Sequence, residues 1–223
     1  KCPPFASFPL RQHQWLEQDV TVRTPNAALK GDIKADWIVL GAGYAGLAAA
    51  RRLAENRPND QIALINAQEV GKGTSGRAAG FAIDLPHNVS SSMEELAKSH
   101  SYRALARAAI DHLKQQIDQH GINCDWRQDG KFHAAVSDQE MREVLEPTVK
   151  ELSALRTFDW LEGDAPTKRL GTSHFKAAIF TYGTSLLNPT ALVRGLADSV
   201  RALPGSYGAH AVKCDRKRSN RML

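Results

Sequence analysis

Gly41-Ala42-Gly43-Tyr44-Ala45-Gly46 spaces three glycines as G-x-G-x-x-G, and the chemistry open to that spacing is the binding of a dinucleotide pyrophosphate. Gly41 permits a sharp turn, Gly43 lets backbone approach phosphate, and Gly46 lets a following helix pack closely on the preceding strand. The flanks supply the context such a motif needs. Trp37-Ile38-Val39-Leu40 is a short apolar strand, and Leu47-Ala48-Ala49-Ala50-Arg51-Arg52-Leu53-Ala54 is helix-forming. The free N–H groups and positive dipole end of that helix then face the phosphates.

Arg57-Pro58-Asn59-Asp60 stops the helix and turns the chain into a second apolar strand, Gln61-Ile62-Ala63-Leu64-Ile65. Two strands joined by one helix make a βαβ unit, with a parallel pair and a right-handed crossover. At the tip of the second strand an acidic residue normally receives the ribose hydroxyls. Here Asn66 stands at that point, followed by Ala67, and Glu69 lies past the strand end. Asn66 still accepts a hydrogen bond but brings no charge, so it neither holds ribose as strongly as a carboxylate nor repels a 2′-phosphate.

The next segment is Val70-Gly71-Lys72-Gly73-Thr74-Ser75-Gly76-Arg77-Ala78-Ala79-Gly80-Phe81. Read by composition, it is a flexible surface loop. Read by position, directly after the second strand, it brings backbone N–H groups, Thr74, Ser75 and Arg77 beside the phosphate turn.

A G-x-G-x-x-G βαβ unit followed by Val70-Gly71-x-Gly73-Thr74-Ser75-Gly76-Arg77-x-x-Gly80 resembles the D-amino-acid oxidase superfamily, and within it the gamma-glutamylputrescine oxidase-like bacterial FAD oxidoreductases. The likeness runs over about residues 20 to 204 and takes in Gly121-Ile122-Asn123-Cys124-Asp125-Trp126-Arg127 and Leu187-Asn188-Pro189. It implies an α/β fold: a Rossmann-like FAD-binding unit with an inserted α+β substrate domain. It also implies FAD as cofactor, a small amine or amino acid as substrate, C–N bond oxidation and oxygen as acceptor. The candidate cofactor-binding residues are Gly41, Gly43, Tyr44, Ala45, Gly46, Asn66, Ala67, Thr74, Ser75, Gly76, Arg77 and Gly80. Two positions depart from the family pattern: Asn66 replaces its ribose-binding Glu, and Ala78 replaces the Asn that usually follows the Arg. Hydride transfer to a flavin needs alignment more than a protein acid or base, so no residue is named as catalytic. Arg77 is the cation in this chain best suited to negative charge on phosphate or reduced flavin.

Two other readings use the same residues. A nicotinamide-dependent dehydrogenase fits the first glycine motif equally well, but gives the loop at 71–80 no evident role. A non-catalytic dinucleotide-binding protein needs only the βαβ unit.

The elements that must position these residues follow from periodicity. Ser92-Met93-Glu94-Glu95 forms a capping box, and Leu96, Ala106, Ala109, Ile110, Leu113 and Ile117 recur at helical intervals up to a stop at Gly121. Asp138 caps a second helix with Val144, Leu145, Leu152 and Leu155, which Pro147 is expected to kink. Lys131 to Val136 and Ala177 to Tyr182 read as strands. Leu192 to Leu203 reads as an amphipathic helix stopped by Pro204-Gly205. The resulting organisation is an N-terminal arm (1–30), the βαβ unit with its glycine-rich loop (31–90), a partial substrate domain (91–185), a returning helix (186–205) and a basic, unstructured tail (206–223).

The 223 residues carry a net charge of +5, of which residues 213–221 hold +4. The basic balance is therefore a property of the tail. Without interleaved aromatics or a recognisable binding fold, it does not amount to a nucleic-acid site, and no nucleic-acid partner is expected. A terminus never selected for function, after loss of the reading frame near Gly205, would look the same. Cys2, Cys124 and Cys214 are odd in number and widely spaced, and the eight histidines lack ligand spacing, so neither a disulfide framework nor a metal site is expected. No apolar run approaches a membrane span and no signal-peptide pattern is visible, so the expected compartment is the cytoplasm. The family fold is longer than this chain, which reads as its front part.

Overall fold

A computed structural model describes residues 26, 28–85, 93–153, 158–203 and 206–211. The expected N-terminal arm, the capping Ser92 and the tail beyond residue 211 lie outside the described residues. The chain divides into two compact units. Among the described residues, the first takes in those up to Ala79, Gln116–Cys124 and those from Asn188 onward; the second takes in those within Gly80–Gln115 and Asp125–Leu187.

In the first unit, β1 (Trp37–Leu40) leads through α1 (Tyr44–Asn56) to β2 (Ile62–Asn66). The strands pair in parallel, from Trp37 opposite Ile62 to Leu40 opposite Ile65. This is the expected βαβ unit. Leu47, Ala50 and Ala54 form the buried stripe of α1. Ile62, Ala63 and Leu64 are all buried, because β2 is the central strand of a three-stranded sheet.

The third strand corrects one expectation. Ser206–Ala211, assigned by sequence to an unstructured tail, forms β8 parallel to β2, from Ile62 opposite Ser206 to Asn66 opposite Ala211. Its cause is non-local: the second edge of β2 needs a hydrogen-bonding partner. It follows α6 (Pro189–Arg201), which starts three residues before the periodicity suggested. Asn188 sets that start, since its side chain accepts from the amides of Thr190 and Ala191, and Pro189 at the first helical position needs no donor.

The second unit is built on an antiparallel sheet of β4 (Lys131–Ala135), β5 (Phe158–Glu162) and β6 (Ala177–Thr181), ordered β4-β6-β5. Ala135, Ala177 and Ile179 from one face of this sheet pack with Leu145 and Leu152. The helical segment carrying those leucines runs from α3 (Asp138–Glu140) through a π-helical turn (Met141–Leu145) into α4 (Glu146–Ser153). The π turn lies just before Pro147, where a kink was expected from the missing N–H. A short helix, α5 (Ala165–Leu170), follows β5.

The boundary between the units falls after Ala79, not near residue 90. Its physical reason is a two-stranded pairing of β3 (Phe81–Ala82) with β7 (Ser185–Leu186), which ties the end of the glycine-rich segment to the second unit. The long helix α2 (Met93–Gln119) contributes its last residues to the first unit. It ends in a Schellman motif: Ile122 donates to the Ile117 carbonyl at 2.9 Å and Gly121 to that of Asp118 at 3.3 Å. Gly121 adopts φ +59°, as that motif requires.

Candidate dinucleotide site

β1 delivers the chain to Gly41, whose φ of +102° only glycine adopts at low cost and whose amide donates to the Ile65 carbonyl at 2.7 Å. The other two glycines serve space, not conformation. Gly43 is extended (φ −86°, ψ −177°), and a β-carbon there would lie 2.8 Å from Ser75 Oγ. At Gly46 it would lie 1.8 Å from the Gly41 carbonyl oxygen, so the first turn of α1 is closed against the turn that begins it.

Two side chains reach this turn from later in the chain. Asn66 Oδ1 accepts from the Ala42 amide at 3.0 Å, and Ser75 Oγ accepts from the Tyr44 amide at 3.3 Å. The structure thus brings together Gly41, Gly43, Tyr44, Asn66 and Ser75. The Tyr44 hydroxyl donates to the Pro189 carbonyl at 3.3 Å. Burial, reinforced by the Cys124 thiol, pushes the phenol up to about 12, so it remains a neutral donor.

The glycine-rich segment folds as a 3-10 turn, Thr74–Arg77. The Thr190 hydroxyl donates to the Gly76 carbonyl at 2.8 Å, fastening that turn to α6. A β-carbon on Gly76 would sit 2.0 Å from the Gly71 carbonyl oxygen, which makes residue 76 a further position where only hydrogen fits. Arg77 is exposed and folds onto its own loop, its Nε donating to the Lys72 carbonyl at 3.1 Å and its Nη2 to the same oxygen. Ala45, Ala67 and Thr74 are exposed. Gly80 alone falls in the second unit, where its carbonyl accepts from Leu187.

A pyrophosphate fits this arrangement. Ala45 and Gly46 lie in the first turn of α1, ahead of the first intrahelical bond from Leu47 to Gly43, so their amides have no carbonyl one turn earlier to meet. No acidic residue occupies that first turn. Donors, dipole and bare backbone therefore converge where an anion is stabilised.

Two polar clusters escaped the sequence reading. In the first unit, buried Arg51 meets His120 Nε2 at 2.7 Å and also donates to Ser199 Oγ. Burial and the adjacent guanidinium hold the imidazole below its ordinary range, although Glu55 works the other way. In the second unit, the buried Asp84 carboxylate faces Arg107 Nε at 3.1 Å and Arg103 Nε at 3.7 Å. Gly183 packs so closely on it that a β-carbon would lie 2.0 Å from Asp84 Oδ2. The available signal was an Asp inside the apolar run Phe81–Leu85, with two arginines one helical turn apart on α2. Among the described residues, no group of three or more His, Cys, Asp or Glu could hold a metal ion, and no helix is long and apolar enough to cross a membrane.

The family model described as "FAD dependent oxidoreductase" (DAO) matches residues 36–217. A probable oxidoreductase OrdL of Rhizobium meliloti is 28% identical over 213 residues, covering 92% of this chain and 49% of that protein. The gamma-glutamylputrescine oxidoreductase of Escherichia coli is 26% identical, covering 79% of this chain and 42% of that protein. The chain thus spans about half the length of the curated relatives it matches. Among solved structures, glycine oxidase from Geobacillus kaustophilus superposes with a TM-score of 0.64 at 20% identity, covering 79% of this chain and 46% of that one. L-amino acid deaminase from Proteus myxofaciens gives 0.60 at 19%, covering 85% and 42%. At such identities these structures bear on the fold alone.

Proposed function

The chain belongs to the DAO family of FAD-dependent oxidoreductases, and on that premise we propose that its first unit binds FAD for the oxidation of a C–N bond in a small amine or amino acid. The observation that supports this most is the turn at Gly41–Gly46, where unmet helix amides, a left-handed glycine and two glycines without room for a side chain lie together. The family match also favours FAD over the nicotinamide reading.

In this reading the amides of Gly43, Ala45 and Gly46 hold the pyrophosphate and the dipole of α1 offsets its charge. Ser75 holds the helix entry at Tyr44, while Thr190 and Arg77 fix the loop that carries Ser75. Gly80 falls in the second unit and is proposed to end the loop, not to touch phosphate. FAD, when bound, supplies the hydride acceptor. The substrate carbon would give up its hydrogen with the bonding electron pair and the nitrogen would lose a proton, leaving C=N; with oxygen as acceptor, the two electrons and two protons would end in hydrogen peroxide.

The relatives named for glycine, L-amino acids and gamma-glutamylputrescine suggest the panel to try. The whole protein, supplied with such amino acids and polyamine derivatives in air, is expected to release peroxide in step with substrate loss. Substrate oxidation that proceeds equally without oxygen, using a quinone or dye, would remove the oxidase assignment and leave a dehydrogenase.

A further inference from the structure

We propose that Asn66 is a positioning residue for the dinucleotide turn, not a ribose ligand, and that its carboxamide is what the geometry there requires. This deepens the FAD-binding reading and rests on it. Asn66 ends β2, beside the point where the Gly41 amide meets the Ile65 carbonyl. Its two polar atoms engage backbone on opposite sides. Oδ1 accepts from the Ala42 amide at 3.0 Å, and Nδ2 donates to the Gln68 carbonyl at 2.8 Å.

The partners fix the orientation of the side chain, because an N–H can only be met by the oxygen and a carbonyl only by the nitrogen. Asn66 therefore links the glycine turn, the strand end and the start of the next loop. A carboxylate could keep the bond from Ala42 but could not donate to Gln68, and would face that carbonyl as a like partial charge. The bare acidic residue usual at a strand tip would thus loosen this turn. Since phosphate binding depends on how the turn aims the amides of Gly43, Ala45 and Gly46, the loosening would reach the phosphates wherever the ribose lies.

The test measures binding of ADP and of 2′-deoxy-ADP to the whole apoprotein and to its Asn66→Ala and Asn66→Asp variants, with amide exchange at Ala42 followed in parallel. The clamp requires both variants to weaken the two ligands by a common factor, about three to ten for a lost neutral hydrogen bond. It also requires faster exchange of the Ala42 amide in Asn66→Ala. Three results would overturn it: a wild-type preference for ADP that disappears in Asn66→Ala, tighter binding by Asn66→Asp, or unchanged Ala42 exchange. The first two would make Asn66 a ribose ligand. If wild type binds neither ADP nor FAD, the cofactor reading fails on its own, and the exchange measurement still decides whether the clamp exists.

Discussion

A side chain at residue 43 meets Ser75 Oγ before it meets anything else. Gly43→Val therefore displaces the hydroxyl that receives the Tyr44 amide and fills the space assigned to phosphate. The variant should fold, because residue 43 is extended and precedes the helix, yet should lose its dinucleotide on gel filtration; retention at wild-type occupancy would place the phosphate elsewhere. His120 supports a prediction of a different kind. Arg51 donates to it, so the ring must be neutral at Nε2, and its pKa lies below the ordinary 6.5. The folded state then binds fewer protons than the unfolded chain as the pH falls below about 6.5. Stability is fully present above that pH and declines below it, on the way down to the lowered folded pKa. Thermal melts at a series of pH values should show this decline in wild type and a flatter profile in His120→Gln, which keeps an acceptor for Arg51 but cannot titrate. Equal slopes would mean that Arg51 and His120 are not coupled. The glycine turn was legible from sequence because its parts are six consecutive residues. Ser75 was placed beside that turn by its position after the second strand; Asn66 and Asp84 meet partners more than 20 positions away, and no local pattern announces those contacts.

At the scale of elements, α6 connects both halves of the first unit: it receives Tyr44 at its start and Arg51 near its end, and holds the Gly76 turn through Thr190. Its N-cap is accordingly a structural control point. Asn188→Ala leaves the amides of Thr190 and Ala191 unmet and should cost about 1 kcal/mol, read as a lower denaturation midpoint with unchanged m-value. A loss near zero would show that water replaces the cap fully. Amphipathic α6, the capped end of α2 and strands β4 and β6 all followed from periodicity and turn residues. β5 did not, since Phe158-Asp159-Trp160-Leu161-Glu162 shows no clean alternation, although Trp160 packs on the core of the second unit. β8 did not either, because the short run Ser206–Ala211, broken by Gly208 and without apolar alternation, becomes a strand only when β2 offers its edge.

For the whole molecule, the described residues supply one parallel neighbour on each side of β2, and β1 carries Trp37, Ile38 and Leu40 exposed at 41%, 57% and 78%. The relatives matched by this chain are about twice its span. The central claim concerns the first unit alone and can be tested directly. The whole protein, purified without added cofactor, should be yellow, and the released chromophore should be FAD by mass. Reconstituted apoprotein should take up FAD in preference to NADPH, and Gly43→Val should not regain the colour. A colourless protein that binds NADPH and ignores FAD would show that the glycine turn serves a nicotinamide cofactor and that the assignment made here is wrong.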